Sequence, residues 1–164
     1  MKLGAEARSV LATLTSGEDR GSLVRILASA EWDLRFAPSL PEAEAVACAS
    51  PIGVVISNAW LADGHSWKDL LEVVQSLPSA PQLIVADRLA DEVLWAEVLN
   101  LGGYDLLMTP FQPQEVLRVV LMAWEFRKRE LEQAAALGIR AKSAEIQPPA
   151  VVKTMIAGAA RRLG

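Results

Sequence analysis

The sequence predicts an α/β fold: a doubly wound, five-stranded parallel sheet with helices on both faces. Three observations carry this. Five short apolar runs alternate strictly with five helical patterns. The third and fourth runs are almost unbroken apolar stretches, as strands buried on both faces require. The five units occupy residues 9–137 of a 164-residue chain, a length that suits one domain.

The elements follow in order. "SVLATL" (9–14) is the first strand, and "EDRGSLVRILASA" after it sets Leu23, Ile26 and Leu27 on one helical face. "WDLRFA" (32–37) is the second strand; Ser39 can cap the helix "PEAEAVACA", with Pro41 in its first turn. "IGVVIS" (52–57) is the third strand, followed by the loop "NAWLADG" and the helix "WKDLLEVVQSL", which Ser66 can cap and which ends before Pro78. "PQLIVA" (81–86) is the fourth strand, and "ADEVLWAEVLNL" ends at Gly102 and Gly103, a helix C-terminal signal. "YDLLM" (104–108) is the fifth strand, and a long helix starts near Pro113 and runs to Leu137. Strand–helix alternation implies right-handed crossovers, and five such units in this length predict a flavodoxin-like (βα)5 domain. The expected division is a body, 1–138, with an extended last helix, and a basic, partly helical C-terminal tail, 139–164. In the tail, "QPPA" (147–150) precedes a segment in which Val152, Met155, Ile156, Ala159 and Leu163 share a helical face.

Apolar residues make up 52% and charged residues 22%, enough for a sizeable core. Residues 1–138 carry 11 Lys+Arg against 19 Asp+Glu, a balance of −8; residues 139–164 carry five against one, a balance of +4. The acidic body argues against nucleic-acid binding. Cys48 is the single cysteine, which excludes an internal disulfide and a cysteine metal site, and its place among alanines suggests a small core residue. No signal peptide and no run near eighteen apolar residues is evident, so the expectation is a cytoplasmic protein with no membrane span.

Two segments resemble the receiver domains of response regulators, the CheY-like family. "NAWLADG" (58–64) is similar to the family's D-x-x-L-P-D-G after the third strand. "GGYDLLMTPFQPQEV" (102–116) is similar to A-G-A-x-D-Y-L-x-K-P-F-x-x-x-E-L around the fifth. The resemblance covers roughly residues 8–130 and implies two-component phosphorelay signalling. In the family, an aspartate ending the third strand accepts a phosphoryl group, and an acidic pair after the first strand holds Mg²⁺ with it. A Thr or Ser ending the fourth strand and a Lys ending the fifth then bind the new charge. The family's Lys-Pro peptide is typically cis, which implies a cis Thr109–Pro110 here.

Carried over residue by residue, that chemistry is missing. The phosphoacceptor position is Asn58, and an amide is a poor nucleophile with no charge for Mg²⁺. The acidic pair falls near Leu14 and Thr15, the Thr/Ser position on Ala86 and the Lys position on Thr109. Leu106 stands where the family's aromatic switch residue lies, and Ala62 replaces the loop proline. The resemblance therefore implies a degenerate pseudo-receiver that uses no metal or cofactor.

Other candidates have plain structural readings. Glu18 and Asp19 suit the first turn of a helix. Asp63 suits a turn with Gly64, and His65 is a single loop histidine. Ser57 should point away from the site, and no G-x-S-x-G elbow surrounds it. Trp60 either anchors a partner or folds over the vacated pocket. On the last helix, Leu117, Leu121, Trp124 and Leu131 form a second apolar line beside Val116, Val119, Val120 and Ala123. Its cover is expected to come from a second subunit, since receiver-like domains often pair through the fourth and fifth helices, or from the tail. The leading expectation is a phosphorylation-independent protein-interaction module, not an enzyme. The alternative is a small-molecule-binding domain that uses the vacated pocket.

Overall fold

A computed structural model describes residues 8–144 of the chain. Its elements are β1 (Ser9–Thr13), α1 (Gly17–Ala28), β2 (Asp33–Phe36), α2 (Leu40–Ala49), β3 (Val54–Ser57), α3 (Trp67–Gln75), β4 (Gln82–Asp87), α4 (Glu92–Leu101), β5 (Asp105–Met108) and α5 (Pro113–Ala144). All neighbouring strands pair in parallel, in the order β2-β1-β3-β4-β5. This is the flavodoxin-like order, whose crevice opens between the carboxyl ends of β1 and β3.

The strands are buried as their composition demands. Val54, Ile56, Ile84 and Ala86 face one layer with Leu23, Ile26 and Leu27 of α1 and Val116, Val119, Val120 and Ala123 of α5. Leu11, Val55, Leu83 and Val85 face the other with Trp67, Leu70, Leu71 and Val74 of α3. Each such aliphatic side chain contributes roughly 1.5–3 kcal/mol when fully buried. The helix boundaries follow their caps: Ser16, Ser39, Ser66 and Asp91 each accept a backbone N–H of the first turn. Gly102 closes α4 in the left-handed conformation, at φ 106°.

Two sequence expectations need correction. Trp124 belongs to the core, not to an outer line: it is 9% exposed and packs edge-to-face on Trp32 at 6.3 Å. It lies four residues after Val120, so it shares the inward stripe. Gly53 makes the space, since a Cβ there would meet Trp124 Cδ1 at 2.7 Å. Leu117 and Leu121 are half-buried against the same core, and Leu131 is half-buried. Cys48 is exposed rather than buried, because α2 turns Ala43 inward and position 48 falls on the opposite side. The expected boundary at 138 lies inside α5, which continues to Ala144. The tail expected beyond it, residues 145–164, lies outside the described residues. Among the described residues no helix is long and apolar enough to cross a membrane.

Candidate functional site

The loops after β1, β3, β4 and β5 meet around Asn58, the residue that follows β3. The β1–α1 loop reaches it because Thr13 and Ser57 are register partners, and Asn58 N–H donates to Thr13 O at 3.3 Å. The side-chain amide then joins two loops. Its Oδ1 accepts from Thr15 N–H at 2.8 Å and from the Thr15 hydroxyl at 3.1 Å. Its Nδ2 donates to Ala86 O at 2.8 Å, at the end of β4. Each polar atom of the amide thus has a partner from the protein itself.

Around this bridge the walls are apolar or closed. Leu14 and Ala86 are buried. Thr109 is also buried, with its N–H donating to Asp87 O at 3.2 Å. The Thr109–Pro110 peptide is cis, as the resemblance implied. Leu106 is half-buried and packs toward the α3 layer. Ser57 is fully buried, and its hydroxyl donates to Asn58 O at 2.8 Å. Glu18 and Asp19 lie in the first turn of α1, where the Ser16 side chain accepts from Asp19 N–H. Among the described residues no group of three or more His, Cys, Asp or Glu is placed to hold a metal ion. A hard divalent cation needs carboxylate oxygens, and Asn58, Thr15 and Leu14 do not fit it.

The loop from Asn58 to Ser66 is tied down. Trp60 pairs with Ser66 in an antiparallel bridge, Leu61 N–H donates to His65 O at 2.8 Å, and Leu61 is buried. Asp63 does more than turn chemistry required. Its Oδ2 accepts from Leu40 N–H at 2.9 Å, at the start of α2, and lies 3.0 Å from His65 Nδ1. The Leu40 hydrogen bond is the main cause that holds the Asp63 carboxyl below its ordinary value; partial desolvation opposes it, and His65 adds to the lowering. Asp63 was legible in the sequence as a turn residue, but its helix-capping partner was not. On this pinned loop Trp60 is 66% exposed, so it does not fill the site. Open surface depressions lie elsewhere among the described residues, one of about 860 Å³ along α4 beside Lys68 and another of about 330 Å³ beside Trp95, Leu106 and Met108.

No protein-family model matches the sequence. A search of curated proteins likewise gives no match. Solved structures do match. The signal receiver domain of an HD domain-containing protein from Pseudomonas fluorescens is 25% identical, with a TM-score of 0.70, covering 80% of this chain and 97% of that one. The chemotaxis response regulator CheY4 of Vibrio cholerae is 19% identical, with a TM-score of 0.64, covering 71% and 98%. The beryllofluoride-activated NtrC4 receiver domain, solved as a dimer, is 21% identical, with a TM-score of 0.66, covering 73% and 98%. The structures this chain resembles are response-regulator receiver domains, and residues 8–144 have the CheY-like receiver fold.

Proposed function

We propose that this chain is a receiver-type module of two-component signalling that acts through protein contacts and takes up no phosphoryl group. The observation that carries this is the Asn58 bridge. An aspartate at that position would offer a nucleophilic oxygen; the amide offers none, and its Oδ1 and Nδ2 are already bonded to Thr15 and Ala86. Leu14 brings no carboxylate, Ala86 no hydroxyl and Thr109 no ammonium, so neither a metal nor a transferred phosphoryl oxygen meets its usual partner. On this reading the protein is not an enzyme and uses no cofactor. The small-molecule alternative has no comparable support, because both polar atoms of the Asn58 amide are already bonded to the protein.

Protein partners are then the means of output. Trp60 is a rigidly held, exposed aromatic of the kind that anchors interfaces. The last helix is the proposed homodimer contact: Leu117, Leu121 and Leu131 are half-buried along one side of it, and Met122 is exposed further round the same helix. The test is incubation of the full chain with acetyl phosphate and Mg²⁺, followed by intact-mass analysis. An unchanged mass is expected; a stoichiometric phosphoryl adduct, labile to hydroxylamine, overturns the proposal.

A further inference from the structure

A series of hydrogen bonds crosses the carboxyl ends of β1, β3, β4 and β5, and Asn58 is its middle link. Asn58 N–H donates to Thr13 O, and Thr15 donates to Asn58 Oδ1 through both its N–H and its hydroxyl. The paired register of β3 and β4 ends at Ser57 and Val85. The Asn58 side chain carries the connection one residue further, because its Nδ2 donates to Ala86 O. Asp87 comes next and holds two neighbours. Its carbonyl accepts Thr109 N–H, just past β5, and its Oδ1 accepts Leu89 N–H, which sets the turn into α4. Every bond in this series joins groups of the chain itself.

The helix at the end of this series is lightly held. α4 buries Val98 fully, and Leu94 in part against the α3 layer. Its other ties lie at the surface: Trp95 Nε1–H donates to Asp105 Oδ1 at 3.2 Å, and Lys68 pairs with Glu97. Exposed ion pairs of that kind contribute little. Val93 is 77% exposed, and Leu89, in the turn before the helix, is 80% exposed. A segment with few buried apolar contacts opens locally more easily than the sheet beneath it. The end of β4 sets where this segment starts, and the Asn58 amide grips that end from the β3 side. We infer that Asn58 is a permanent clamp: it fixes the β4–α4 loop and α4 in a single arrangement, so that the module presents its partner surfaces without a switching signal. This rests on the reading that Asn58 takes no phosphoryl group.

NMR relaxation dispersion of backbone amides reads exchange between conformations on the microsecond-to-millisecond scale. It tests the clamp in the full chain, with no phosphoryl donor or metal added. In the wild type the amides of residues 87–95 and 105–109 should give flat profiles. Asn58→Ala removes both arms of the clamp, and dispersion should appear at these amides while β2 and the end of α1 stay flat. A general loosening would spread to those elements too. Asn58→Asp keeps the acceptor for Thr15 and loses the donor to Ala86, so the same amides should respond while Thr15 does not. It also carries the test if Asn58→Ala does not fold. Asn100→Ala, exposed on α4, is the control and should stay flat. Dispersion at these amides in the wild type, flat profiles in the Asn58 variants, or an equal response in the control overturns the inference. A phosphoryl adduct in the mass experiment would remove the reading beneath it; wild-type dispersion without an adduct removes the clamp alone.

Discussion

Asn58 Nδ2 donates to Ala86 O at 2.8 Å, tying the end of β3 to the end of β4 across the point where a receiver would carry its phosphoryl group. The same amide takes two hydrogen bonds from Thr15 through Oδ1. An amide can be donor and acceptor at once; a carboxylate can only accept. On the proposed reading, the residue that removes the chemistry also supplies a cross-link that an ionised aspartate could not make.

Asn58→Asp should consequently destabilise the protein and still not restore phosphorylation. It sets a carboxylate oxygen against Ala86 O, and mispairing polar groups in this half-buried place costs about 1 kcal/mol, the low end for such groups. The sign with pH follows. The new carboxyl should have a folded-state pKa above its unfolded value, because protonation restores a donor toward Ala86. The destabilisation should be full at neutral pH and should shrink as pH falls through that raised pKa. Urea denaturation of both proteins at several pH values measures it; equal stability at neutral pH contradicts the bridge.

Thr15→Val should cost less, about 0.5–1.5 kcal/mol, since the hydroxyl bond to Asn58 is lost while the backbone N–H bond remains. A double-mutant cycle with Asn58→Ala should show coupling. Additive effects would mean that the two side chains act independently.

Asp63 should give an acid-side dependence. Its folded pKa is lowered, first by the Leu40 N–H and then by His65, against some desolvation. The stability it contributes is present above the unfolded carboxylate pKa and is lost as pH falls through the folded value. Asp63→Ala should flatten that part of the stability–pH curve relative to wild type. An NMR titration that finds the Asp63 carboxyl at or above its ordinary pKa would contradict this.

Two tryptophans should part company. Trp124→Ala should cost roughly 3–5 kcal/mol, as large-to-small changes of buried aromatics do, because Trp124 packs on Trp32 and over Gly53. Trp60→Ala should change stability by about 0.5 kcal/mol or less, as exposed substitutions do. Thermal and urea unfolding of both variants gives the comparison, and a large loss in Trp60→Ala would make that residue structural.

The homodimer has its own check. Met122→Glu places a charge on the exposed side of α5 without touching the core, and it should lower the molar mass in light scattering if that helix pairs. A wild-type mass equal to one chain removes the dimer proposal.

The order of elements was legible because the apolar runs and helical patterns alternate, and Ser39, Ser66 and Gly102 mark helix ends by local chemistry. Asn58 and its neighbours were legible through the loop motif and the Thr-Pro-Phe segment. What Asn58 bonds to was not, because Thr15 and Ala86 lie 43 and 28 residues away and meet only through the sheet register. Trp124 was misplaced because at one position it continues both the line of Leu117 and Leu121 and the line of Val116 and Val120; only Gly53 and Trp32, distant in sequence, decide between them. Cys48 failed similarly: an alanine-rich helix gives little contrast between its faces.

The most direct test of the central claim is an NMR titration of the full chain with Mg²⁺ and beryllofluoride, which mimics a phosphoryl group on a receiver aspartate. The backbone amides of Thr15, Asn58 and Ala86 and the Asn58 side-chain amide report on the site. No saturable shift at these resonances is predicted, because Asn58 has no carboxylate to bind beryllium and its polar atoms are already bonded. Saturable shifts centred on Asn58 and spreading into α4 and β5 would contradict the account.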